Sequence, residues 1–490
     1  MNYQLLLNYQ NKIAELEYLV NILGWELRTK APINSQEYLS KILNKHELDL
    51  FKLKTSEEYI NLLNNYLNSE EVNEHSEEIN RYFKQFKKHY ELDKMVPEEF
   101  YETYSALRIK CNTVWEEAKR CNDYEMYKPY LKDMIEATKK YYQYMYPNSD
   151  LYNGMLDSYE VGMTSDVIDK LFNELKISLM PIVKKLPKEV KDKTYLQNYN
   201  ESDLITAAEY LLNYIGFDLK RGTLGIYPHG FTEKMNHNDV RIAFKKGDNP
   251  VDFVSTIIHE GGHGIFEQQI NTELGTLQNV CIEECYALHE SQSRFYENIL
   301  GRNINFWKPI YSDIKSLLNL DLTLEEFVSE LNNAHPSLIR TEADELTYCF
   351  HIIIRYEIER ELFNGNINID ELPDIWNNKM KEYLDIEVPN NTLGLMQDVH
   401  WSEGNFGYFP SYLLGSIYDG MFIEAIERDL GSIDEILIAG RIKEITENLG
   451  SKIHQYGGAY NSKEVIERVC GKEISAKPLI NYFTEKYFKE

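Results

Sequence analysis

The chain has 490 residues, with 52 Lys and Arg against 79 Asp and Glu, which gives a formal net charge of −27. Such a charge repels the phosphates of nucleic acid and the anionic surface of a membrane, so neither is expected as a partner. Six cysteines are few for this length, no apolar run approaches a membrane span, and the start MNYQLLLNYQNK carries no cationic leader, so a reduced, cytoplasmic setting is the expectation.

Length alone allows two or three domains, but no Ser/Gly/Pro-rich linker divides the chain. We read a single domain over 1–490 with two sub-lobes, a helical N-terminal part over about 1–220 and a catalytic part over 221–490. From about residue 3 to 220 apolar residues recur at three- and four-residue spacing, as in Leu5, Ile13, Leu16, Leu19, Val20 and Leu23, which predicts helices. Between 222 and 247 the pattern changes to short runs rich in β-branched and aromatic residues, GTLGIYPHGF and DVRIAFKK, separated by the polar turn EKMNHN. A small antiparallel sheet is expected there. Helical periodicity returns at about 249 and continues to the end of the chain, so the fold class is mainly α.

The helix that follows the sheet has a legible start. Asn249 can cap it, Pro250 suits its first position, and Asp252 adds negative charge to its first turn. It carries IIHEGGHGIF at 257–266, in which His259 and His263 lie four apart and project side by side, able to share one ion. Catalytic zinc takes three protein ligands and leaves a position for water, and a glutamate beside the first histidine can take that water's proton. Glu260 is the candidate general base. The third ligand must come from another element, and spacing alone leaves Glu283, Glu284 and Glu290 all open. Cys281 and Cys285, four apart, read as two small buried residues rather than half a metal site. Three glycines within HEGGHG disfavour a helix by about 1 kcal/mol each relative to alanine.

Further blocks extend the pattern. LHESQSRFYEN at 288–298, HPSLIRTEADELTY at 335–348 and GLMQDVHWSEGNFGYFP at 394–410 resemble the HES, IRxxAD and GxxQDxHW elements of the thermostable metallocarboxypeptidase family, often called carboxypeptidase Taq. SYEVGMT at 158–164, HGF at 229–231, DVRIA at 239–243 and ILGWELRTKAP at 22–32 are weaker matches to the family's YEPGMT, HPF, DxRxT and WDQ segments. The resemblance covers most of the chain from about 155, and before that rests on the one opening helix.

The resemblance implies that His259 and His263 are metal ligands, Glu260 the general base and Glu290 the third ligand, leaving Glu283 and Glu284 as a charged helix face. It implies that Arg340 and Arg241 hold the substrate's terminal carboxylate, a task suited to the guanidinium fork, with His229 also on the substrate side. His400 matches the end of QDxHW, and either Tyr408 or Tyr412 lies where related enzymes place a phenol that can donate to the oxyanion of the tetrahedral intermediate. Asp344 and Asp398 are candidates to orient a ligating histidine, with capping or ion pairing as the alternative. Gly262 matches a family glycine that lets another backbone or the substrate approach the metal helix, whereas Gly261 and Gly264 have no such counterpart.

The departures are Gly230 for the proline of HPF, Ala243 for the threonine of DxRxT, Val161 for the proline of YEPGMT, and Glu26 and Leu27 for the end of WDQ. None removes a ligand or the base. The implied protein is a large helical zincin-like domain split by a deep active-site groove. It would release single C-terminal residues from short peptides with broad tolerance, as a homodimer, using one divalent ion per chain, zinc first and cobalt as a substitute. The rival readings are an oligoendopeptidase, whose motif usually has a histidine where Phe266 stands, a dipeptidyl carboxypeptidase, and a non-catalytic peptide-binding protein built on the same scaffold.

Overall fold

A computed structural model describes residues 1–188, 196–277 and 285–488, which are mostly helical. The opening helix, Asn2–Thr29, buries Leu6, Tyr9, Ile13 and Trp25 together with the polar Gln10 and Glu17. Of the stripe read from Leu5, Ile13, Leu16, Leu19, Val20 and Leu23, Ile13 is buried, but Leu5 and Leu19 are 50% and 37% exposed, so the buried face only partly coincides with it. The polar members of the buried face have partners. Gln10 donates to the Leu277 carbonyl at 2.7 Å and accepts from the Tyr59 hydroxyl at 2.8 Å, while Glu17 pairs with Lys54 at 2.5 Å. A hydropathy period cannot register a face whose burial depends on hydrogen bonds made elsewhere in the chain.

The sheet consists of β1 (Gly222–Ile226), β2 (Phe231–Asn236) and β3 (Asp239–Phe244), in the order β1-β3-β2. It lies where the sequence placed it, but it is mixed rather than antiparallel: β2 pairs with β3 antiparallel and β1 with β3 parallel. Only β2 and β3 form a hairpin. Residues 227–230 step over the end of β3, where the Tyr227 amide donates to the Phe244 carbonyl at 3.0 Å, so β2 is delivered to the far edge. Trp25 packs on Met235 and Ala243 of this sheet, and a Cβ at Gly225 would lie 2.6 Å from its ring. The tryptophan of ILGWELR thus anchors the opening helix to the strands beside the metal helix.

The helix Pro250–Gln269 starts as its sequence signals require, with the Asn249 side chain accepting from the Val251 amide and Pro250 in the first turn. It packs against β2 and β3, against the helix Glu201–Ile215, and against the helix Tyr286–Arg294. The three glycines face three of these neighbours. A Cβ at Gly262 would lie 2.7 Å from the Gln292 carbonyl oxygen and 2.7 Å from Ser293 Cα, both backbone atoms of the Tyr286–Arg294 helix. At Gly261 it would meet Ile215 Cδ1 at 2.6 Å, and at Gly264 the Phe217 ring at 2.6 Å and Ile242 Cδ1 of β3 at 3.3 Å. The absent side chains make room for close packing on three sides, which offsets their intrinsic cost to the helix.

The chain forms two compact units, each assembled from three separate stretches rather than from sub-lobes divided at about 220. One comprises Met1–Tyr90, Lys193–Asn332 and Phe422–Lys472, and contains the sheet and the metal helix. The other comprises Glu91–Asp192, Asn333–Met421 and Glu473–Glu490. In it the long helices Glu98–Cys121 and Tyr124–Met145 pack together, and the buried helix Tyr348–Phe363 packs on Leu372–Leu384 and Ser165–Val183. Among the described residues no helix is long and apolar enough to cross a membrane.

Candidate metal centre

Among the described residues one group of side chains can hold a metal ion, and it is His259, His263 and Glu290, whose donor atoms all lie within 4.8 Å of one another. Glu290 Oε2 is 3.4 Å from His263 Nε2 and 3.8 Å from His259 Nε2. Donors at 2.0–2.2 Å from a tetrahedral ion are about 3.4 Å apart, so the spacing and the two-imidazole, one-carboxylate chemistry fit zinc with a position left open. Of the other glutamates left open by spacing, Glu283 and Glu284 lie outside the described residues, as does Cys281.

The surroundings orient the donors. His259 Nδ1 is hydrogen-bonded to Glu297 Oε2 at 2.9 Å, which turns its Nε2 toward Glu290. This is the carboxylate-to-histidine contact that fixes a ligand's tautomer. Burial disfavours the imidazolium, but the hydrogen bond to Glu297 and the charge of Glu290 outweigh it and lift His259 to about 9. His263 is pushed the other way, to about 4, by burial and the neighbouring His289. Glu290 is held well below the usual carboxylate range, because the hydrogen bond to His263 and the charge of His259 overcome the opposing effect of burial. Glu297 sits in a π-helical stretch, Phe295–Leu300, that continues the Glu290 helix, and π turns recur at functional sites.

Glu260 is buried, and its carboxylate accepts from the Thr232 hydroxyl of β2 at 2.7 Å. Burial raises its pKa, partly countered by His259 and by that hydrogen bond, which is the direction a general base near neutrality requires. A Cβ at Gly230 would lie 3.0 Å from Glu260 Oε1, so the glycine in place of proline leaves the space beside the carboxylate clear. His229 is exposed in the connection just before β2. Arg241 on β3 is held by Asp239 through two hydrogen bonds, Nε to Oδ1 at 3.0 Å and Nη2 to Oδ2 at 2.8 Å. Behind the metal helix, His289 stacks on His263 with centroids 4.5 Å apart, and its Nε2 lies 3.2 Å from Glu267, which pairs with Lys234 of β2 at 3.1 Å.

The remaining predicted residues lie in the second unit, in one partly buried cluster. Asp398 receives Arg340 at Oδ1 through Nε (3.0 Å) and Nη2 (2.9 Å), and Arg355 at Oδ2 through Nε (2.7 Å). Gln397 Oε1 accepts from the Arg340 amide at 2.9 Å and from Arg355 Nη2 at 2.8 Å. His400 Nε2 lies 3.3 Å from the Tyr412 hydroxyl, the Tyr412 ring lies against Arg340 at 5.1 Å, and the Tyr408 ring is 5.1 Å from that of Tyr412. Burial and the nearby arginines keep His400 neutral, its pKa lowered to about 3.

Asp398 therefore pairs with arginines, and Asp344 accepts from the Leu346 and Thr347 amides at the start of the Tyr348–Phe363 helix. The carboxylate hydrogen-bonded to His259 is that of Glu297. It could have been found in the sequence, since it stands seven positions after Glu290, two helical turns on. Arg355 was also missed, although a single arginine inside HIIIRY signals a buried charge that needs a partner. Thr232 carried no sequence signal.

A helical scaffold with HExxH on one helix, a glutamate from the next and a buried carboxylate beside the first histidine defines a metallopeptidase. The chain belongs to the carboxypeptidase Taq (M32) metallopeptidase family, whose description matches residues 5–487. It is 36% identical to carboxypeptidase 1 of Bacillus subtilis, over 97% of this chain and 96% of that protein, and 30% identical to thermostable carboxypeptidase 1 of Thermus thermophilus, over 99% and 98%. The crystal structure of the M32 carboxypeptidase from Deinococcus radiodurans is similar with a TM-score of 0.93 at 26% identity, covering 99% of this chain and 98% of that one. The protein is a metal-dependent carboxypeptidase, a hydrolase.

Proposed function

We propose that the protein releases single amino acids from the C-terminus of short peptides, with broad tolerance of the released residue, and that the two units work as one domain over 1–490. The observation that carries this reading is the convergence of His259, His263 and Glu290 beside a buried Glu260. Those three side chains would hold one divalent ion, with zinc as the natural occupant and cobalt as a substitute. When bound, the ion supplies a Lewis acid for a peptide carbonyl and for water.

The protein's own residues do the rest. Glu260 takes a proton on its carboxylate and returns it to the leaving amine, and the Thr232 hydroxyl fixes the orientation of that carboxylate. Glu297 keeps the Nε2 of His259 available as a donor atom. Arg340 and Arg355 together carry one more positive charge than Asp398 neutralises, which supports capture of a free carboxylate by Arg340. Arg241 and His229 would contribute to the substrate side, and His400 with Tyr408 or Tyr412 would donate to the developing oxyanion. A homodimer and a cytoplasmic location complete the proposal.

Release of arginine from an N-acylated Ala-Arg dipeptide tests it. The activity is expected to vanish with a chelator, return with zinc or cobalt, and fall by about 100-fold or more in Glu260→Gln. Dipeptide release or internal cleavage of longer peptides would favour the rival peptidase readings, and metal and peptide binding without turnover would favour a binding protein.

A further inference from the structure

The second unit contains a buried carboxylate that none of the roles above uses. Glu359, on the helix Tyr348–Phe363, has no exposed surface, and its three hydrogen-bond partners are all neutral donors. Trp401 Nε1 donates to Oε1 at 2.7 Å, while the Tyr152 hydroxyl and the Gly407 amide donate to Oε2, each at 2.9 Å. Burying a carboxylate without a cation in contact is costly, and here burial pushes its pKa up to about 7 despite the three donors. An apolar side chain would fill the same volume at less cost, so the carboxylate answers a need other than packing.

That need is visible in what the donors carry. Trp401 follows His400 directly, and Gly407 precedes Tyr408. Glu359 therefore ties down both ends of the segment that separates the histidine from the first candidate tyrosine. Between those ends the Asn405 amide donates to the His400 carbonyl at 2.9 Å and Arg108 Nε to the Glu403 carbonyl at 2.7 Å, but among the described residues Glu359 is the one side chain that binds both ends. Gly407 adopts φ +82°, a conformation other residues rarely take, and a Cβ there would lie 2.9 Å from Met155 Cβ. Only a carboxylate offers acceptors to all three donors at once, because glutamine at this position would present its own N–H groups to at least one of them.

We propose that Glu359 is a positioning residue for peptide hydrolysis, holding Trp401 and Gly407 so that His400, Tyr408 and Tyr412 keep the geometry the reaction needs. The inference rests on the proposed role of those three residues in turnover. Misplacement of reacting groups by about 1 Å can lower a rate about 100-fold. Glu359→Gln breaks one end of the tie, because its N–H groups must face either Trp401 Nε1 or the Gly407 amide, whereas Tyr152→Phe removes a donor that leads to neither His400 nor the tyrosines.

The test compares the zinc-loaded wild-type protein, Glu359→Gln and Tyr152→Phe in release of arginine from the acylated dipeptide, with unfolding temperatures measured in parallel. Glu359→Gln is expected to lower kcat by about 10- to 100-fold with KM changed less than about twofold. Tyr152→Phe is expected to lower the unfolding temperature and keep kcat within about twofold. Should Glu359→Gln not fold, Trp401→Phe cuts the tie at the Trp401 end and carries the same kinetic expectation. An active wild type with kcat unchanged in Glu359→Gln, or lowered equally in Tyr152→Phe, overturns this inference alone. A wild type without any peptidase activity overturns the parent reading as well.

Discussion

Replacing Gly262 by alanine tests how the metal centre is assembled. A Cβ there would sit 2.7 Å from both the Gln292 carbonyl oxygen and Ser293 Cα, about 0.7 Å short of ordinary van der Waals contact at 3.4 Å. Both obstacles are backbone, so neither can rotate away, and the helix bearing Glu290 must retreat from the helix bearing His259 and His263. Metal-ligand distances tolerate about 0.2 Å, so a retreat of about 0.7 Å exceeds the allowance severalfold. In an open helix the same change would add about 1 kcal/mol of stability. Here zinc affinity, measured by competition with a chelating dye, is expected to fall about 10- to 100-fold, as it does when the groups supporting ligands are disturbed. Gly261→Ala is the comparison, because it meets the ends of the Ile215 and Leu212 side chains and should cost stability more than affinity. A Gly262→Ala protein that binds zinc as tightly as wild type would refute the reasoning.

Glu297→Gln keeps an acceptor for His259 Nδ1 but removes the charge, and zinc affinity by the same dye assay should fall about 10-fold or more, with a smaller effect on kcat of the loaded protein. Arg340→Ala should raise KM for peptides with a free C-terminus and leave cleavage of C-terminally blocked peptides no better than before; an unchanged KM removes Arg340 from substrate binding. Lys234→Met removes the ion-pair partner of Glu267. Burial opposes ionisation of Glu267, but Lys234 and His289 hold it at about 2 in the folded protein, below its unfolded value. A depressed pKa contributes stability above the unfolded value that is lost as pH falls through about 4.5 toward 2, on the order of 3 kcal/mol. Acid unfolding of Lys234→Met should therefore begin at higher pH than that of wild type.

The helical class, the location of the sheet, the start of the metal helix and the pairing of two histidines on one of its faces were legible because each depends on local chemistry. Asn249 and Pro250 mark a helix start wherever they occur in that order, and HExxH places two imidazoles on one face without help from the rest of the chain. Spacing could not choose Glu290 over its neighbours. That choice came from resemblance, and the donor atom of Glu290 lies within 4.8 Å of those of His259 and His263. What stayed hidden depends on contacts between distant segments. The parallel pairing of β1 with β3 follows from a connection that crosses a strand end, which strand patterns do not encode. The opening helix buries Gln10 and Glu17 because Leu277, Tyr59 and Lys54 meet them. Arg355, Thr232 and Glu359 likewise take their roles from partners far along the chain.

The central claim is that this metal centre serves removal of one residue at a time from a free C-terminus. A mass-spectrometric time course on a mixed pool of short peptides, with wild-type protein and Glu260→Gln side by side, tests it most directly, because it reports the end attacked, the step size and the dependence on Glu260 together. Ladders shortened by single C-terminal residues are expected, absent with chelator and with Glu260→Gln. Products two residues shorter, fragments cut internally, or ladders that persist without Glu260 would contradict it.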